Sequence, residues 1–138
     1  MTVNYRFIEH TADVGIEVYS PTLKGLYETA GHALFMLMVP EVSPPGIRHA
    51  IEAEGADRES LLVNFMNDLL AAFELKGLLF RKIEVKKLTG RRLEADTRCE
   101  RFDPDCRLMD TVVKAVTFHG LEIKKEGARW RGVVYLDL

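Results

Sequence analysis

The chain predicts an α+β fold in a single domain, residues 1–138, with a largely antiparallel mixed sheet and two amphipathic helices packed on one of its faces. Three observations carry that expectation. Apolar residues recur at helical spacing in two separated stretches and alternate in strand fashion through most of the rest. The elements run strand, strand, helix, strand, helix and then strands only, which is the order of an α+β domain and not of an alternating α/β one. At 138 residues and 47% hydrophobic content the chain can bury one real core.

Residues 5–10 and 14–19 alternate apolar and polar, so they read as two strands flanking Thr11–Asp13. From Ser20 the period changes: Leu23, Leu26, Tyr27, Ala30, Ala33, Leu34, Leu37 and Met38 recur at helical spacing. Ser20-Pro21 reads as an N-cap followed by a first helical proline, and Pro40 marks the end. After the Ser43–Gly46 loop, Ile47, His49, Ile51 and Ala53 alternate as a strand. Asp57 caps a second helix with the clearest apolar stripe, Leu61, Leu62, Phe65, Met66, Leu69, Leu70 and Phe73, closed by Gly77. Phe80–Leu88 and Arg91–Cys99 form a hairpin around Thr89-Gly90, and Arg107–Asp110 is irregular. Val112–His119 is apolar and β-branched, and Leu121–Lys125 pairs through Glu126-Gly127 with Trp130–Leu138.

The formal net charge of −2 argues against a molecule whose affinity rests globally on phosphate neutralisation, although a local basic patch stays open. No run approaches the roughly 18 apolar residues of a membrane span, and the N-terminus lacks a basic and then apolar leader pattern. The expectation is a soluble cytoplasmic protein with Cys99 and Cys106 reduced. P-loop, GxGxxG, GxSxG and HExxH patterns are absent.

The chemistry-bearing candidates begin with His10 and Asp13 in His10–Gly15, where an Asx-type turn competes with a ligand or base at a strand end. Asp137 follows Val133-Val134-Tyr135-Leu136 in a strand expected to be half or fully buried, where a carboxylate needs a partner. If that strand pairs with the first ones, Asp137 and the carboxylate of Leu138 converge on Asp13. Such oxygen donors need a hard cation or a Lys or Arg between them; Ca²⁺, Mg²⁺ and Mn²⁺ suit oxygen-only ligation better than Zn²⁺. A solvated Asp137 at a frayed end is the structural alternative. Lys114, Thr117 and His119 offer a cation, a hydroxyl and an imidazole near the same place, with Lys114 snorkelling from an edge strand as the bland reading. Cys99 and Cys106 are too loosely spaced for a zinc knuckle. Asn64, Asn67 and Asp68 make a polar strip on the second helix, read as a solvent face or a partner surface; the acidic residues Glu52, Glu54, Asp57 and Glu59 read as a solvated rim.

Four stretches resemble the archease family: Phe7–Ile16, Asp57–Leu70, Val113–His119 and Tyr135–Leu138. Phe118 stands where that family more usually has Tyr, and Phe65-Met66 replaces a Trp-Leu pair. The resemblance implies a non-enzymatic accessory factor that activates an RtcB-type RNA ligase in tRNA splicing, promoting its guanylylation and multiple turnover. It implies a divalent metal (Ca, Mg or Mn) on Asp13, Asp137 and Leu138, with His10, Lys114, Thr117 and His119 supporting the site or touching the partner. RNA contact would then be indirect, and no membrane is involved. The rival reading is a metal-dependent phosphoesterase or nuclease using the same acidic residues.

Overall fold

Two helices lie between two antiparallel sheets. The computed structural model describes residues 4–9 and 13–138. They form β1 (Tyr5–Glu9), β2 (Asp13–Ser20), α1 (Leu23–Met38), β3 (Ile47–Glu54), α2 (Arg58–Lys76), β4 (Leu78–Leu88), β5 (Arg92–Arg101), β6 (Ala115–Glu126) and β7 (Arg129–Asp137). One sheet has the strand order β1-β2-β7-β6, the other β3-β5-β4. Every neighbouring pair is antiparallel. α1 packs on β2 and β4, and α2 on β6 and β3, so each helix touches both sheets.

The α+β class and the antiparallel pairing are as the sequence predicts, while the single sheet expected there resolves into two. The helices explain the division. Phe35 on α1 and Val63 on α2 lie outside the stripes read from the sequence and are fully buried. They widen each apolar arc to about half the helix circumference, too much for one sheet to cover. One continuous core results, with Ile16, Val134 and Leu136 from the four-stranded sheet and Leu79, Phe80 and Leu93 from the three-stranded one.

The helix ends are chemically defined. Asp57 caps α2 by accepting from the Ser60 N–H at 2.7 Å, and Gly77 closes it at φ +68°, both as expected. For α1 the cap is Thr22, whose hydroxyl accepts from the Gly25 N–H at 3.0 Å. Ser20, the residue expected there, instead accepts from the Thr22 N–H at 3.3 Å. Beyond α1, a register shift between Phe80 and Lys82 turns Arg81 inward, where its guanidinium meets Glu100 at 2.7 Å and the Glu41 carbonyl at 2.9 Å. Arg107 also pairs with Glu100, and the Ser43 N–H donates to it at 2.8 Å. This knot ties both long loops to the end of α1.

On the outer face of the four-stranded sheet, Glu17 is buried beneath Arg6 and Arg131, whose guanidinium groups both bond its carboxylate. Arg131 also reaches Glu122 at 3.6 Å, which holds Lys124 at 2.9 Å. The centre of that face is thus neutralised, and among the described residues its end is not.

Candidate functional site

The end of the four-stranded sheet is built by alternation. Ile16 and Val18 on β2, and Val134 and Leu136 on β7, point into the core. Asp13, Gly15, Asp137 and Tyr135 therefore share the opposite face. The register sets Asp13 directly across from Asp137, and Gly15 across from Tyr135. On its other side Asp137 faces Ala115 of β6, and one step further the Lys114 main-chain N–H donates to the Asp137 carbonyl at 2.8 Å.

Two carboxylates directly opposed across a ladder repel by about 0.2–1 kcal/mol. Among the described residues neither Asp13 nor Asp137 has a side-chain hydrogen bond or an ion pair. Lys114 is exposed and its ammonium pairs with no described carboxylate. Among the described residues no three His, Cys, Asp or Glu side chains come together to hold a metal ion. The pair thus supplies two hard oxygen ligands; among the described residues any further one would be a main-chain or terminal oxygen, and water or a partner's group could complete the set. That donor set fits an oxygen-loving divalent cation and not Zn²⁺.

The floor beside the carboxylates is the ring of Tyr135. A Cβ built on Gly15 would stand 2.8 Å from Tyr135 Cε1, and one on Gly120 would stand 2.6 Å from Cε2. The ring is therefore held between two strands that lack side chains where it passes. Gly120 sits at φ +65° inside a bulge of β6, where the register jumps from Thr117/Tyr135 to Glu122/Val133. Thr117 shapes the entry to the bulge: its hydroxyl donates to the Tyr135 carbonyl at 3.0 Å and accepts from the His119 N–H at 3.3 Å. His119 packs edge-on against Tyr135 with ring centroids 6.1 Å apart. Gly15→Ala and Gly120→Ala are each expected to lower stability by about 1–3 kcal/mol, since the ring cannot retreat from one strand without striking the other. In thermal melts, Tyr135→Ala should absorb most of the cost of Gly15→Ala, giving a double mutant clearly better than additive.

Of the residues singled out in the sequence, Asp13, Asp137, Leu138, Lys114, Thr117 and His119 all gather at or beside this end. His10 lies outside the described residues. Cys99 is buried and Cys106 exposed, both free. His32 packs against Tyr5 and His49 against Phe80. Glu52 and Glu54 form the expected exposed rim, paired with Arg92.

Sequence reasoning missed Asn67 as a site-building residue. Its amide donates to the Val116 carbonyl at 2.9 Å and accepts from the Val116 N–H at 2.9 Å, pinning the start of β6 to α2. It also missed Tyr135, whose companion glycines were the available signal. Of the exposed apolar residues, Val112 precedes β6, Phe118 lies in its bulge and Leu138 follows β7. Phe65 and Met66 are fully buried, so the Trp-Leu replacement is a packing change.

The model of the Archease protein family matches residues 5–138. The chain belongs to the archease family. Among archease relatives, protein archease of Pyrococcus abyssi is 38% identical over 136 residues, spanning 94% of this chain and 95% of that one. Protein archease of Methanopyrus kandleri is 36% identical over 135 residues, spanning 95% and 96%. The solution structure of Methanobacterium thermoautotrophicum protein 1598 superposes with a TM-score of 0.78 at 30% identity, covering 99% of this chain and all (100%) of that one. The crystal structure of an archease and possible chaperone from Thermotoga maritima shares the fold, with a TM-score of 0.66 at 21% identity over 95% and 94% of the two chains.

Proposed function

We propose that this archease is a non-enzymatic accessory factor of an RtcB-type RNA ligase in tRNA splicing, promoting its guanylylation and turnover through a divalent-cation-binding acidic tip. The observation that carries the reading is the Asp13–Asp137 pair, two like charges in register with no described cation to neutralise them. Asp13, Asp137 and a main-chain oxygen of Leu138 would hold the ion, which supplies positive charge able to stabilise a phosphoryl group. The chain's own residues do the positioning. Tyr135, its ring lying over Gly15 and Gly120, packs β2, β7 and β6 together beside the carboxylates. Asn67 and Thr117 hold the rim that carries Lys114 and His119. Val112 at 63% and Phe118 at 59% exposure give the tip apolar groups with which to enter a protein cleft.

The test is RNA ligation with limiting RtcB-type ligase, comparing wild type, Asp137→Asn and Phe118→Ala. Wild type should raise turnover; Asp137→Asn should lose at least nine-tenths of the stimulation, on the order of 1.4 kcal/mol or more. In parallel melts, Mg²⁺, Mn²⁺ or Ca²⁺ should raise the Tm of wild type and leave that of Asp137→Asn unmoved. Without metal, Asp137→Asn should be at least as stable as wild type, because it removes a repulsion. Full stimulation by Asp137→Asn would exclude the acidic-tip mechanism. Phosphoester cleavage by the protein alone would favour the enzyme reading instead.

A further inference from the structure

The outer face of the three-stranded sheet carries a second set of like charges in register, this time cationic. Arg48 of β3 lies directly across from Arg98 of β5, and Arg98 directly across from Lys82 of β4. All three are exposed, while Thr97 and Cys99 on either side of Arg98 are buried, so the row stands on the solvent side of the sheet. With strands about 4.8 Å apart, three charges fall in a line spanning roughly 10 Å.

The neighbouring cations are already neutralised: Lys86 by Glu84 at 2.7 Å, Lys87 by Glu94 at 3.7 Å, and Arg92 by Glu52 and Glu54 at 3.3 and 3.6 Å. Arg48, Arg98 and Lys82 have no ion-pair partner among the described residues. They border an open groove of about 420 Å³ whose other edge carries Glu84 and Asp96. Like charges directly opposed in a ladder disfavour the fold, so this row stands at a cost that a bound anion would remove.

We propose that this row binds the phosphodiester backbone of a single-stranded nucleic acid, laid across the three strands and read by charge alone. Three features select that occupant. The cations are aligned at a spacing that suits a chain of regularly repeated anions. Asp96, in the adjacent row beside the Glu84–Lys86 pair, bounds the track and disfavours the second strand of a duplex. None of the exposed large apolar residues, Phe7, Val42, Leu75, Leu108, Val112, Phe118 and Leu138, belongs to β3, β4 or β5. A protein interface wants an apolar or aromatic centre, and base stacking wants an aromatic platform. The face offers neither, so contact is to phosphate and indifferent to base and sugar. The site stands independently of the ligase reading.

The experiment uses the full chain without ligase, with fluorescein-labelled 12-nucleotide oligo-U RNA and oligo-dT DNA, followed by anisotropy from 50 to 200 mM KCl. Three neutralised phosphates give a slope of log K against log salt near −2, about an 18-fold loss of affinity over that range. RNA and DNA should bind within a few-fold of each other. Arg98→Gln should flatten the slope by about 0.7, leaving roughly a 7-fold loss, and the triple Arg48→Gln/Lys82→Gln/Arg98→Gln should abolish salt-dependent binding. Arg92→Gln and Lys87→Gln, whose charges are spoken for, should leave the slope unchanged. The triple variant should melt no lower than wild type, which separates loss of binding from loss of fold. Unchanged binding by the triple variant, or displacement by poly-glutamate as effective as by poly-U of equal charge, would overturn the proposal.

Discussion

Replacing Glu100 with alanine is expected to destabilise the chain by about 3–5 kcal/mol, among the largest single-residue losses in the molecule. Glu100 and Arg81 have side chains only 5% and 3% exposed, and removing the carboxylate strands a buried guanidinium. The substitution also frees the Ser43 N–H and one bond of Arg107, so the loops after α1 and after β5 lose their shared anchor on β5. Urea unfolding should show the midpoint falling with little change in slope, and the double variant Arg81→Met/Glu100→Leu should recover much of the loss by removing both charges together. The same carboxylate makes stability pH-dependent. Burial pushes Glu100 upward, but the Ser43 N–H and the Arg81 and Arg107 guanidinium groups outweigh it and leave the carboxyl below its ordinary 4.5. Glu17 is held below 4.5 first by its bond from Arg6, then by Arg131. Depressed carboxyls contribute stability that is complete above their unfolded value and lost as pH falls through the folded one. Urea midpoints should therefore hold from neutrality down to about pH 5 and drop below about pH 4.5 in wild type, and drop less steeply in the double variant.

Asn67→Ala is expected to cost about 2–3 kcal/mol and, on the function proposed above, to abolish most stimulation of a ligase without removing any group from the acidic tip. Val116 would lose partners for both its N–H and its carbonyl at once, and unpaired backbone groups are expensive when shielded from water. Val116 lies beside Ala115, which faces Asp137, so loosening it unseats the rim of the carboxylate pair. Hydrogen exchange at the Val116 amide should accelerate well before global unfolding. Asn67→Asp keeps the acceptor but sets a charge against the Val116 carbonyl, so it should not rescue. A variant with normal Val116 protection but lost stimulation would instead place Asn67 in direct contact with the partner.

The sequence carried α2 almost entire, because Asp57, a seven-residue stripe and Gly77 each mark it by a separate chemistry. It also carried the encounter of Asp13 with Asp137, since alternation in two apolar strands turns both outward at the same end, although Asp137 is exposed there and not half or fully buried. Ser20 and Thr22 were harder to separate as caps: both hydroxyls are used, two residues apart. β6 read as two strands because its bulge at Phe118–Leu121 breaks the period without ending the ladder. Arg81 was invisible, because an arginine inside a strand signals an exposed position unless the register slips. The division into two sheets was equally hidden. A buried Phe35 or Val63 marks a helix as widely covered, yet says nothing about whether one sheet or two provide the cover.

Because the helix pair lies between the sheets, their outer faces look away from each other. A body gripping the end of β2 and β7 and a strand lying over β3, β5 and β4 would not compete for ground. With both proposed occupants bound, the molecule would be a two-sided coupler, holding each at high local concentration relative to the other. The gain in effective concentration would be set by the thickness of one helix layer, with no linker to span.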